Sequence, residues 1–446
     1  MDRARRRLLT ALGTTGVAAF AGCSGDDDGT DSPSREVTND DGGTDPPPRQ
    51  VTKLVADDGE KGDRFGYSVA VSGDGSIAVI GSLSDDNTNG ENAGSAYVFE
   101  ASDGGWSQEA TLVAGDGGSL GTSIAVSDGG STAIIGGQGD DDPLAAGSVY
   151  VFGESDGEWS QEAKVVPDDG DRLDRFGYSV AASDDGSTAV IGARNDEDPN
   201  GEHAGAAYVF ERSGGGWSQE AKLAADDGGQ GDLFGESVGV SGDGSTAVVG
   251  AIGADNPNGA GAAYVFEGTD DGWTQEAKLV VETDGRLTGS GMALGVSGDG
   301  ATVVMDGFLE EAPDEGRGSA YVFTGSDGEW SQEATLASND AEDGFASAVA
   351  VSDDGSTALV GAPNDGDPNG EGAGSAYLFE RSSGGWSQGT KLVADDGDTG
   401  DGFGDSIAVS DDGSTALVGT DGDDGPNGEE VGSAYVFQWN STAKSG

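Results

Sequence analysis

The chain has 446 residues, of which 83 are acidic and 21 basic, giving a formal net charge of −62. Such a surface repels nucleic acid and anionic lipid, and neither is expected as a partner. One cysteine (Cys23) and one histidine (His203) exclude an internal disulfide and a zinc site built from Cys and His clusters, and leave Ser–His–Asp chemistry to His203 alone.

At the N-terminus, Arg3, Arg5, Arg6 and Arg7 precede a short apolar run from Leu8 to Ala21. A membrane helix needs ~20 apolar residues, so residues 1–22 read as a signal peptide. Arg5 and Arg6, followed by Arg7-Leu8-Leu9, resemble the twin-arginine motif, which implies export of a folded protein. Phe20-Ala21-Gly22-Cys23 resembles a lipobox. That implies cleavage before Cys23, a lipid on its sulfur, and attachment to the outer side of the cytoplasmic membrane through this anchor alone. A signal peptide cut elsewhere is the alternative. Residues 23–49 are rich in Asp, Gly, Ser and Pro with no apolar pattern, and are expected to form a disordered acidic tether. Random-coil scaling gives that tether a span of roughly 25–30 Å.

From residue 50 the chain repeats. Tyr recurs at positions 97, 150, 208, 264, 321, 377 and 435, and Trp at 106, 159, 217, 273, 330, 386 and 439. Each unit holds four short apolar runs, in the fourth copy "GESVGVS" (235–241), "STAVVGA" (245–251), "GAAYVFE" (261–267) and "WTQEAKLV" (273–280). Runs of this length and composition between Asp-Gly turns read as strands joined by tight hairpins. Seven such units predict an all-β, seven-bladed β-propeller of four-stranded antiparallel blades over residues 50–440, with a tail at 441–446. "KLVADDG" at 53–59 returns at 391–397 in the fourth-strand position, and no copy follows Trp439. The N-terminal strand is therefore expected to complete the last blade by pairing with residues 434–437.

Inner strands begin near Phe65, Leu120, Phe176, Phe234, Ser290, Phe345 and Phe403, four of them as Phe-Gly. Second strands end in Gly192-Ala193, Gly250-Ala251 and Gly361-Ala362-Pro363. These motifs resemble the FG-GAP repeat family, which includes the integrin α-subunit propeller, over about residues 50–439. The resemblance implies that partners bind the face carrying the loops after the second and fourth strands. The family's calcium loop lies between Phe-Gly and Gly-Ala-Pro. Here that place holds only a short turn such as 183–187, with too few oxygens for Ca²⁺, which takes six to eight.

Another loop has cation-like spacing. Asp196, Asp198 and Asn200 recur as Asp365, Asp367 and Asn369, and as Asp85, Asn87 and Asn89. Alternate oxygens followed by Gly match the first half of an EF-hand loop, so these nine residues are the candidate Ca²⁺ ligands. The acidic residue at the twelfth position is absent, and a solvated turn explains the same letters. The fifth unit departs from its siblings at Gly289-Ser290-Gly291-Met292 and carries Phe308 and Leu309 in its long loop, a candidate recognition patch.

No phosphate loop, no nucleophile with a base and no redox cysteine pair stands out. The chain reads as a monomeric cell-surface binding or adhesion module, not an enzyme, with no required cofactor and an unknown surface protein or glycan as partner. The alternatives are a scaffold subunit of an envelope complex, or a polysaccharide lyase or hydrolase using carboxylates around the axis. The acidic, lysine-poor composition resembles that of proteins from salt-loving archaea.

Overall fold

Val-, Ile- and Ala-rich runs between Asp-Gly turns form twenty-eight strands, arranged as seven four-stranded antiparallel sheets in a ring. The computed structural model describes residues 47–439 apart from 117–118, 139–145, 198–199, 257–258, 284–286, 310–317, 327, 339–343, 367 and 426–427. The signal peptide, Arg5, Arg6, Cys23 and nearly all of the tether therefore lie outside the described residues, as does the C-terminal tail.

Blade one runs from Phe65–Val71 to Gly105–Leu112, blade two from Ser119–Val126 to Glu158–Val165, and blade three from Phe176–Ala182 to Gly216–Leu223. Blades four, five and six run from Phe234–Val240 to Gly272–Leu279, Leu287–Val296 to Glu329–Leu336, and Val349–Val351 to Gly385–Leu392. Blade seven combines Ser406–Val409, Thr415–Thr420 and Ser433–Gln438 with Arg49–Leu54 from the other end of the chain. Leu54 lies opposite Ala434 and Gln50 opposite Phe437.

The glycines of the two motifs mark where neighbouring blades touch. Gly66 has φ +91°, and a Cβ there would stand 2.2 Å from the Ser433 carbonyl oxygen of the preceding blade. A Cβ on Gly192 would stand 2.2 Å from the Gly235 oxygen of the next blade. A left-handed backbone in van der Waals contact with another backbone strongly favours glycine, and blade six is the exception, with Ala346 at φ +69°. The phenylalanine beside it fills the blade interior. Phe65 meets Tyr97 and Phe99 edge-on, with ring centroids 5.5 and 6.0 Å away. Blades three, four, six and seven repeat this trio. Each aromatic pair contributes about 0.5–1.5 kcal/mol beyond its buried area.

The inner strands of blades six and seven begin at Val349 and Ser406, later than the motifs suggest. Phe-Gly is a bulge: in blade three, Phe176 faces Ala193 and pairing resumes only at Ser179 opposite Gly192. Where the pairing before the bulge is lost, the strand starts three or four residues on.

Blades are also stapled to each other. Ser68 Oγ donates to the Gly121 oxygen at 2.8 Å, and Ser123, Ser179, Ser237 and Ser406 do the same to Gly177, Gly235, Gly291 and Gly66. At the hairpin ends of the inner strands, seven backbone hydrogen bonds form a closed circle. Gly73 N–H donates to Asp128, Asp128 to Asp184, Asp184 to Gly242, Gly242 to Gly298, Gly298 to Asp353, Asp353 to Asp411, and Asp411 back to Gly73, at 2.8–3.1 Å.

Deleting residues 50–56 removes the outer strand of blade seven and exposes the edge of Ser433–Gln438. Hydrogen exchange should then accelerate first in blade seven while blades two to five keep their protection. Uniform protection after the deletion would refute closure by this strand.

Candidate functional site

The inner strands run along the axis, and their Val, Ile and Ala side chains line a channel of about 250 Å³, among them Val69, Val126, Val240, Val351 and Ile407. One mouth opens on the face with the long loops, the other on the hairpin face. Apolar strand interiors bind little that is polar, so specific chemistry must sit at the mouths.

At the loop-face mouth, the residue after Phe-Gly varies: Tyr67, Thr122, Tyr178, Glu236, Met292, Ser347 and Asp405 in blade order. The residue two beyond the Gly192-type position of the second strand varies too, with Arg194, Ile252, Phe308 and Asp421 among its occupants. Three of these side chains form one cluster. Arg194 Nη1 donates to Glu236 Oε1 at 2.7 Å, and the Tyr178 hydroxyl donates to the same oxygen at 3.2 Å. The Arg194 guanidinium lies 4.4 Å from the Tyr178 ring centroid. Glu236 is 8% exposed. Its Oε2, the Nε of Arg194 and the hydroxyl of Thr122 are buried with no hydrogen-bond partner. Burial lifts the Glu236 carboxyl above its ordinary range against the pull of Arg194 and Tyr178.

Blades seven and one supply a second pair. Arg64 Nε donates to Asp421 Oδ2 at 2.9 Å, its Nη2 meets the same oxygen, and the guanidinium lies 4.8 Å from the Tyr67 ring. The rim backbone is constrained. Arg64, Arg175 and Leu233, each just before Phe-Gly, have φ of 60°, 60° and 55°. Left-handed non-glycine residues cost of order 1–3 kcal/mol and cluster where geometry serves a site. Blades four and five complete the rim with an apolar arc of Ile252, Phe308 and Met292, the last 45% exposed. Phe308 of the expected recognition patch thus sits on the rim, half-buried. The side chain of Leu309 lies outside the described residues.

The hairpin-face mouth is acidic. Asp128, Asp184, Asp353 and Asp411 belong to the closed backbone circle, which brings their carboxyl groups together. Burial, then the neighbouring carboxylates, push Asp184 up to about 6. Asp128 and Asp411, hydrogen-bonded to each other, are both raised, burial again leading.

The calcium candidates are engaged within the fold. The Tyr208 hydroxyl donates to Asp196 Oδ2 at 2.6 Å, and Lys222 Nζ stands 3.0 Å from the same oxygen. Asp365 receives Ser375, Tyr377 and Lys391 at 2.6, 2.7 and 2.8 Å. The cation at both carboxylates is a lysine ammonium. Asn200 and Asn369 donate to the Ala225 and Ala394 carbonyls at 3.0 and 2.8 Å, and Asn89 to that of Ala114. Asn87 donates to Gly94 and Ser95 at 2.7 and 3.0 Å. Asp85 accepts from Ser95 and Tyr97. Asp198 and Asp367 lie outside the described residues. No group of three or more His, Cys, Asp or Glu is placed to hold a metal among the described residues.

Sequence reasoning passed over the mouth. The available signal was the position after Phe-Gly, where large and charged residues interrupt an otherwise small-residue strand. It also passed over Asp306, which occupies the place of the Gly192 type in blade five. Asp306 is fully buried, and its Oδ1 accepts N–H bonds from Gly291, Met292 and Ala293 at 2.8, 2.8 and 3.1 Å. Its Oδ2 has no partner, and burial pushes the carboxyl up to about 7.

A family model described as FG-GAP repeat matches residues 48–99, 106–152, 159–210, 217–266, 330–379 and 386–437. The unmatched residues 267–329 hold Ser290, Met292 and Asp306 of blade five. No curated protein matches the chain. Among solved structures, it is similar to the periplasmic gluconolactonase of Pseudomonas aeruginosa, at 16% identity over 74% of this chain and 86% of that one, with a TM-score of 0.49. The expectation that the chain is not an enzyme is corrected on this finding, because a protein similar over most of its length is named as one. At that identity the likeness transfers no activity.

Asp306 gives a pH test. Its folded value is about 7, against ~3.9 in an unfolded chain. A raised carboxyl contributes stability that is complete below the unfolded value and is lost as pH rises through the folded one. The melting temperature of Asp306→Asn minus that of the native chain should therefore rise between pH 4 and 7 and level off above, in molar NaCl. A pH-independent difference would refute the assignment.

Proposed function

The chain belongs to the FG-GAP repeat family, and from that premise we propose that it is an exported, membrane-anchored propeller that binds a glycan at the loop-face mouth of its channel. The observation that carries this reading is the Arg194–Glu236–Tyr178 cluster, with its buried and unpartnered carboxylate oxygen and guanidinium nitrogen. Polar groups held at fixed spacing beside aromatic rings suit a ligand that alternates hydroxyl edges with C–H faces, as a sugar ring does. The apolar arc of Ile252, Met292 and Phe308 offers a second, non-polar contact. A net charge of −62 disfavours polyanions, which points to neutral glycans. The lipid on Cys23 and the acidic tether would present this mouth to the cell exterior.

The reading is tested on a panel of neutral surface glycans in molar NaCl. The native protein should retain at least one, and Glu236→Gln and Arg194→Met should each weaken retention roughly tenfold or more, since each removes a charge-assisted hydrogen bond. Equal retention by variants of unchanged melting temperature would refute the site. Shortened glycan products that disappear in Glu236→Gln would replace binding by catalysis. Cys23→Ser should move the protein from the membrane fraction to the medium, and unchanged partitioning would refute the anchor.

A further inference from the structure

Blade one retains two carboxylates that its siblings bridge with a lysine, and lacks the lysine. In blade three, Lys222 Nζ lies 2.7 Å from Asp169 and 3.0 Å from Asp196, and the Tyr208 hydroxyl donates to both. In blade seven, Lys53 Nζ lies 2.8 Å from Asp396 and 2.7 Å from Asp423, beside Tyr435. Blade one repeats the arrangement with Asp58, Asp85 and Tyr97. The Tyr97 hydroxyl donates to Asp85 Oδ1 at 3.1 Å, and Asp58 stands by the same hydroxyl. In each blade one strand-four residue pairs with the tyrosine: Lys222 with Tyr208, Lys53 with Tyr435, and Thr111 with Tyr97. Threonine carries no charge.

The loss is not compensated nearby. Asp85 is 5% exposed, and among the described residues its carboxylate accepts only from the neutral hydroxyls of Ser95 and Tyr97. Lys61 and Arg64, the basic residues of the adjoining connector, are paired with Glu429 and Asp421. The other charged groups around Asp85 are Asp58, Asp63 and Asp86, all acidic. Blade five also has threonine at this position, Thr335, but there Thr283 replaces the connector aspartate, so lysine and carboxylate are lost together. Burial above all, with Asp58 and Asp86 adding to it, lifts Asp85 above the usual carboxylate range.

Equivalent oxygens in blades three and seven therefore ligate a cation, and in blade one no group among the described residues supplies it. We propose that blade one binds a hard, oxygen-seeking metal cation between Asp58 and Asp85, at the position that blades three and seven fill with a lysine ammonium. Its ligands are the two carboxylates, with Tyr97 beside them. Asn87 and Asn89 take no part, because their amides serve Gly94, Ser95 and Ala114. A buried carboxylate without a counter-charge is costly, so occupancy stabilises the fold. The site is separate from the channel mouth and does not rest on its reading.

The test compares melting of the native chain with Thr111→Lys, which restores the sibling arrangement, and with Asp58→Asn at the exposed carboxylate. Melts are run in NaCl, KCl and tetramethylammonium chloride at equal molar concentration, and in the last with CaCl₂ or MgCl₂ added. The native chain should melt several degrees higher with the occupant than in tetramethylammonium chloride alone, and the response separates an alkali cation from Ca²⁺. Both variants should lose most of that difference, and Thr111→Lys should be the more stable chain in tetramethylammonium chloride. The same cation dependence in all three chains, or none in the native one, would overturn the proposal.

Discussion

Seven peptide groups hydrogen-bonded in a closed circle around the axis, from Gly73 through Asp128 and Asp411 back to Gly73, set the geometry that the rest of the molecule follows. A circle of identical links closes only if every turn presents its N–H and its C=O at the same angle. The turns achieve this with local chemistry. In blade one, Ser72 Oγ accepts from Ile77 N at 2.9 Å, Asp74 Oδ1 accepts from Ser76 N at 2.9 Å, and Gly75 takes φ +70°. The Ser-x-Asp-Gly motif is therefore a backbone device first. Aspartate at its second position is permitted by the circle but not required by it, since Gly73, Gly242 and Gly298 serve as well. The crowded carboxylates at that mouth, with their raised proton affinities, result from adding charge to an already closed ring.

That circle also explains which parts of the fold were legible. A period of about 56 residues and four apolar runs per unit fix blade number and strand order, because every repeat must satisfy the same closure. The Gly66 and Gly192 positions were legible as motifs because close backbone contact favours glycine there in most blades. The channel mouth was not, because the position after Phe-Gly faces the opening and no packing rule governs it. The Asp196 and Asp365 loops were read as calcium ligands because their oxygens are spaced correctly. The groups that hold them, Lys222 and Lys391, come from strand four, twenty-six residues later in each case, and that neighbourhood appears only once the blade is assembled.

Blade five shows how a repeat departs from its pattern while the ring persists. In blades one to four and seven a serine staples its blade to the glycine carbonyl of the next, and the second-strand glycine leaves room for that contact. Here Ala293 replaces the serine, Ala346 replaces the glycine of the next blade, and Asp306 fills the vacated space. Three backbone N–H groups of its own inner strand satisfy one oxygen of Asp306. One polar contact between blades has become three within a blade. Individually each change would clash or leave a group unpaired; together they are consistent, which is why the family pattern fades over 267–329 while the sheet remains.

The distribution of cations follows from the same economy of contacts. The chain has seven lysines, and five of them (Lys53, Lys164, Lys222, Lys278 and Lys391) occupy one structural position. Each lies 5.1–5.6 Å from the ring of its blade's tyrosine, and each bridges to a carboxylate. An exposed lysine on a surface of this charge gains little, because surface ion pairs are worth about 0–1 kcal/mol and salt screens them. A half-buried ammonium over an aromatic ring, shared between two acids, is screened far less. Selection that removes lysine from the surface would leave it in these clamps. Blade five has lost the connector acid together with the lysine, whereas blade one has lost the lysine and kept both acids.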